Sequence, residues 1–232
     1  MSSSRTFEAA FVPVVVLTFV TGVVDAVGYL ALDRVFTGNM TGNIVILGMG
    51  LAGSDNLPVL GPLLAVLAFV VGAFVAGLIL RGREKTWDPR RTTALLLCGA
   101  AVLAGCGIAL ACGNPHDEIM QVVVAAATAA VMGTQAAVAR RLAVTDMTTV
   151  VVTSTLTQLA SESFLLGSRH SVVNRRLAAI VTIFLGAVAG ALLLRIHVAV
   201  PMALAAVLMA GAAAIGHRNA PAPCREPAHS SV

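Results

Sequence analysis

The sequence predicts an all-α integral membrane protein: two related halves, six transmembrane helices, and two broken or re-entrant polar segments, with eight transmembrane helices as the alternative. Composition is the first ground. Of 232 residues, 58% are apolar by type and 11% are charged, with a mean hydropathy of +0.91, whereas soluble domains carry about 25% charged residues. The second is length, because six apolar runs match the roughly 20 residues that a helix needs to cross a bilayer. The third is the distribution of arginine and lysine, which falls almost wholly on one side of a six-span topology.

The first run, 9–32, follows Arg5 as a secretory signal would. It continues through Asp25 without a small-x-small cleavage site, and so reads as a retained helix. Runs at 58–80, 92–112, 119–139, 177–194 and 198–216 supply the other five spans. Two segments are ambiguous. Residues 35–53 are continuously apolar only at 44–47, before Gly48, Gly50 and Gly53 interrupt. Residues 146–167 are loaded with Thr149, Thr153, Ser154, Thr157, Gln158, Ser161 and Glu162. If both segments dip in and return, thirteen positive charges lie on the cytoplasmic side and only Arg34 and Arg195 lie outside. If both cross, the better orientation places nine inside and six outside. Thirteen against two favours six spans with cytoplasmic termini. Residues 1–218 then form a single polytopic membrane domain, with halves at about 9–112 and 119–216 and a Pro- and Ala-rich tail at 219–232 expected to be disordered.

Relatedness of the halves rests on two alignments. Residues 72–81 align without a gap to 186–195, with five of ten positions identical. Arg34 and Met40-Thr41 precede the first copy as Arg141 and Met147-Thr148 precede the second, at the same internal spacing. With three spans per half the halves have opposite orientation, a transporter plan in which broken helices meet near the midplane.

The polar heptapeptide Thr37-Gly38-Asn39-Met40-Thr41-Gly42-Asn43 is the first candidate site. Thr37 and Thr41, like Asn39 and Asn43, are four apart and would stack if helical. A helix starting near Thr37 or Thr41 would present unpaired N–H groups to an anion or a carbonyl; the structural alternative is capping and helix–helix bonding. Asp25 is the one acid deep in a convincing span, and insertion of such a carboxylate costs about 2.5–3.5 kcal/mol. It therefore faces protein or water, as a coupling or substrate-binding acid or as a structural bonding partner, with Tyr29 placed to donate to it. Gln135 is its uncharged counterpart in the second half. Gln158 and Glu162, four apart, would line one polar face beside Thr157 and Ser161.

Several classes are disfavoured. There is no basic helix face and only 4% aromatic residues, which argues against nucleic acid. The five histidines fall in predicted loops or the tail, so no metal or haem site forms and no cofactor is expected. HExxH, GxSxG, P-loop and GxGxxG motifs are absent, and no nucleophile–base pair is complete, so no enzyme is expected. Cys98, Cys106 and Cys112 share one apolar helix and read as buried free thiols, and Trp87 reads as an interfacial anchor. Small-xxx-small pairs such as Gly72/Ala76 and Gly186/Gly190 permit close helix approach, within the chain or in a homo-oligomer.

Gly22-Val23-Val24-Asp25-Ala26-Val27-Gly28-Tyr29-Leu30, then Phe36–Ile44 around the heptapeptide, then Gly133-Thr134-Gln135-Ala136, resemble the YoaK family of small bacterial membrane proteins, a domain of unknown function. The resemblance covers nearly the whole chain. In that family the second half usually reads Gly-x-Gln-Asn-Ala and later Thr-Gly; here Ala136 stands in place of the Asn and Thr149 follows Thr148. The resemblance implies a multi-pass protein of the bacterial cytoplasmic (inner) membrane and no established substrate. The expected function is a small-solute transporter or permease in the lipid bilayer; the alternatives are a non-transporting scaffold or regulator, and a passive channel.

Overall fold

The computed structural model describes residues 2–54, 56–82, 87–114, 117–142 and 170–220. These residues form α1 (Ser2–Ala31), α2 (Met40–Leu51), α3 (Leu60–Ile79), α4 (Arg91–Cys112), α5 (Glu118–Arg141), α6 (His170–Leu194) and α7 (Ala199–Arg218), with no strand among them. All but α2 contain a stretch long and apolar enough to span a membrane, six in total. The twelve residues of α2 reach about 18 Å at 1.5 Å per residue, too short to cross.

Helix directions follow from who meets whom. Gly186 of α6 lies against Phe19 and Gly22, and Gly190 lies against Val23 and Ala26, so α6 runs parallel to α1. Gln135 of α5 reaches Leu17 and Thr21, whereas Glu118 at the start of α5 faces Asp33 beyond the end of α1, so α5 runs antiparallel to α1. The end of α5 and the start of α6 therefore lie at the same end of the bundle. That alternation is the one six spans require. The predicted segment 146–167, with Gln158 and Glu162, lies outside the described residues.

α1 is the central helix: 61% of its spanning window is buried inside the protein, against 22% for α3 and 17% for α6. Two crossings hold those outer helices. At the first, a methyl on Gly22 would strike the carbonyl of Ile183 and the amide of Ala187, three residues before and one after Gly186. At the second, a methyl on Gly133 would strike the carbonyl of Phe69 and the amide of Ala73, three before and one after Gly72. In return Gly186 meets the Phe19 carbonyl, three before Gly22, and Gly72 meets the Ala130 carbonyl, three before Gly133. Both pairs let backbones touch where any Cβ would force them apart, the role of small residues in membrane helix packing.

Between α4 and α7 the packing is ordinary side-chain burial, with Leu103, Leu110, Met202 and Met209 fully enclosed. Cys106 is buried as expected, but Cys98 and Cys112 are exposed on the isolated chain, because α4 turns them away from the side that packs; all three are free thiols. Trp87 is also no interfacial anchor. It is 5% exposed, its ring lies on Gly216, and its Nε1 donates to Thr93 Oγ1 at 3.2 Å. The absence of a side chain at Gly216 makes the slot into which the indole fits. His217, in the last turn of α7 rather than in a loop, has Nδ1 2.8 Å from the Pro89 carbonyl. Since that carbonyl only accepts, Nδ1 carries the proton.

Candidate mid-membrane polar site

The site begins where α1 stops. Asp33 and Arg34 both take the left-handed conformation, with φ of 54° and 58°, which most side chains avoid. The chain thereby reverses: the amides of Leu32 and Val35 both donate to the Gly28 carbonyl, at 3.1 and 3.3 Å. It then descends along α1, with Thr37 beside Asp25 and Gly38 against the methyl of Thr21. Thr21 lies ten residues before Ala31, about 15 Å down the helix and so roughly halfway through a hydrocarbon core of about 30 Å. From that depth α2 starts, and α3 begins back near the top, where Gly61 packs against Val35. Segment 35–53 is therefore re-entrant.

Asp25 organises the tip. Its Oδ1 accepts from the Thr37 amide at 2.9 Å, the Gly38 amide at 2.6 Å and the Thr37 hydroxyl at 3.4 Å. The Asn39 amide also faces the carboxylate. These N–H groups precede the first turn of α2, where a helix end favours negative charge. The anion expected at this terminus is thus the protein's own carboxylate, supplied by α1. Gly38 is required at the tip: a Cβ there would fall 2.8 Å from Thr21 Cγ2 and 3.4 Å from Asp25 Oδ1.

The heptapeptide does not stack as a helix would make it. α2 starts only at Met40, with Asn39 as N-cap accepting from the Gly42 amide at 3.3 Å. Thr37 and Asn39 thus lie outside the helix, and the two predicted pairs separate. Thr37 and Asn43 are fully buried, whereas Asn39 and Thr41 are exposed. Asn43 serves as a surrogate strand partner: its Oδ1 accepts from the Phe36 amide at 2.8 Å, and its Nδ2 donates to the Phe36 carbonyl. Phe36 in turn stacks on Tyr29 with ring centroids 5.0 Å apart, and the donors to Asp25 are the backbone amides and the Thr37 hydroxyl in place of the expected phenol.

Gln135 enters from α5, in the other half of the chain. Its Nε2 donates to the Leu17 carbonyl at 2.9 Å and to Thr21 Oγ1 at 3.0 Å, while Thr21 donates back to Leu17 O at 3.0 Å. Thr21 therefore links Gln135 to Gly38 and, one helical turn on, to Asp25. Thr21 was not among the sequence candidates; its position four residues before Asp25 is the signal that could have found it. Asp25, Thr37, Asn43 and Gln135 are brought into one region beside α1, Asn39 and Thr41 border it, and Gln158 and Glu162 are not described. Among the described residues no group of three His, Cys, Asp or Glu side chains could hold a metal ion.

A family sequence model described as "Protein of unknown function (DUF1275)" matches residues 14–215. The chain is also similar to the UPF0700 transmembrane protein YoaK of Bacillus subtilis (strain 168), with 33% identity over 147 residues. That alignment covers 63% of this chain and 64% of the relative, just under two thirds of its length. No solved structure matches.

Proposed function

The chain belongs to the DUF1275 family of proteins of unknown function, a family of membrane proteins, and from that premise we propose that it is a small-solute transporter or permease of the bacterial cytoplasmic membrane. The observation that supports this most is the re-entrant segment, whose tip lies at mid-depth beside Asp25 and against Thr21, the residue that also bonds Gln135 of the second half. Irregular backbone at that depth is tolerated where it is enclosed by protein or lines a cavity. Two inverted halves, meeting at the Gly22–Gly186 and Gly72–Gly133 crossings, suit a rocking mechanism around a fixed central site. Asp25, Thr37 and Gln135 are the proposed solute contacts, with Asn39, Thr41 and Asn43 shaping the approach, and the chain acts without covalent chemistry.

The test is flux in proteoliposomes across a panel of small solutes, with Asp25→Asn as the diagnostic variant. Transport requires a solute whose uptake saturates and depends on pH, with both properties lost in the variant. Absence of flux across the panel would remove this reading. It would leave the second one, a non-transporting scaffold in which Asp25 only fastens the loop, which is supported by the several donors that converge on its Oδ1.

A further inference from the structure

Resting on the transporter reading, and narrowing it, we infer that the mid-membrane cluster recognises a small hydrogen-bond-donating cation of the primary ammonium type, and excludes anions. The amide orientation of Gln135 is decided by its neighbours. Leu17 O can only accept, and the Thr21 hydroxyl spends its proton on that same carbonyl. The amide nitrogen must therefore face both, which turns Oε1 away from them. Gln135 is 5% exposed and its Oε1 has no hydrogen-bond partner. A buried acceptor in this state has lost its hydrogen bonds to water without replacement, and so it calls for a partner that donates.

Among the described residues, the charge at this depth has one sign. Away from the ends of the six spanning stretches, Asp25 is the single charged residue; Arg91, Glu118, Arg140, Arg141 and Arg218 sit at helix ends. Among the described residues, no basic side chain lies at mid-depth to balance an anion. The backbone donors that would have served one, at the start of α2, are already directed at Asp25. What the region offers an incoming solute is the unpartnered acceptor of an amide held by Thr21, and a carboxylate one helical turn after Thr21 on α1. As a residue, Asp25 is half-buried on the isolated chain. An ammonium group would give one N–H to Gln135 Oε1 while lying in the field of Asp25; a carboxylate or phosphate would meet lone pairs at both atoms.

Purified full-length protein in detergent can be melted with methylammonium chloride or sodium formate at matched ionic strength. The expected result is a saturable Tm rise with methylammonium, about 4 °C at roughly tenfold above half-saturation, and none with formate. Gln135→Met, which keeps size and removes the acceptor, should abolish the rise. If that variant does not fold, Gln135→Glu, which keeps an acceptor, must retain or enlarge it. A formate-selective rise, no saturable rise with either salt, a methylammonium rise that survives in Gln135→Met, or its loss in Gln135→Glu would each overturn the inference. Labelled methylammonium flux separates the two proposals. Saturable binding without flux of any solute supports this inference and sinks transport, whereas formate-selective flux keeps transport and sinks this inference.

Discussion

The two glycine crossings are built alike and furnished differently. Each sets a glycine against the backbone of its partner helix, with the same residue offsets on both sides. Three residues after Gly22 comes Asp25, which takes up the re-entrant tip; three after Gly133 comes Ala136, which holds nothing. At the next position, Gly22 is followed by Val23, whereas Gly133 is followed by Thr134, whose hydroxyl lies 3.3 Å from the Gly72 carbonyl. The comparison teaches that close helix packing and polar chemistry are separable. Backbone contact fixes how the helices cross, and residues a few positions on decide which half carries charge.

The equivalence of the crossings is most directly broken by adding a methyl group. Gly22→Ala and Gly133→Ala should each destabilise by about 2–3 kcal/mol, the upper range for overpacking, because the obstructing atoms are backbone. Similar falls in Tm for the two variants would sharpen the comparison, and a large inequality would break it. Asp25→Ala comes next. Leaving the amides of Thr37 and Gly38 unpaired should cost about 2 kcal/mol and speed hydrogen exchange at those two amides, while Ala136→Ser, at the matching position, should change neither. Asn43→Ala removes the paired bonds to Phe36 and should cost about 1–2 kcal/mol, read as earlier proteolysis of segment 32–40. Thr134→Val makes the second crossing resemble the first and should shift Tm by the equivalent of less than about 1 kcal/mol, since Thr134 also bonds its own Ala130 carbonyl.

The smallest effect concerns the loop that follows α1. Burial and the nearby Glu118 carboxylate raise the Asp33 carboxyl above its ordinary value, with Arg34 opposing them. A raised acid disfavours the charged folded form, so its penalty is present at neutral pH and disappears as pH falls below the ordinary carboxylate range. Asp33→Asn should therefore raise Tm slightly at neutral pH and leave it unchanged in acid.

The six spans were legible because hydropathy over about 20 residues is a strong signal, and their described limits differ from the sequence reading by a few residues. Asp25 was legible as the one acid deep in a convincing span. The start of α2 was not: Thr37, Asn39 and Thr41 are all plausible caps, and the choice is made by Asp25, which pulls the amides of Thr37 and Gly38 onto α1. The pairing of Gly22 with Gly186 was equally hidden. A glycine in an apolar run says that something comes close without saying what. Trp87 was misplaced for a related reason, since the slot that admits its ring is made by Gly216, 129 positions away.

That slot has a spectroscopic consequence. The chain contains one tryptophan, so the intrinsic emission of the whole protein reports a single junction, where the segment between α3 and α4 is seated on the end of α7. Shielded from water, the indole should emit at short wavelength and resist aqueous quenchers. Any motion that lifts α7 from that segment would shift the emission to the red, without a label and without knowledge of the solute.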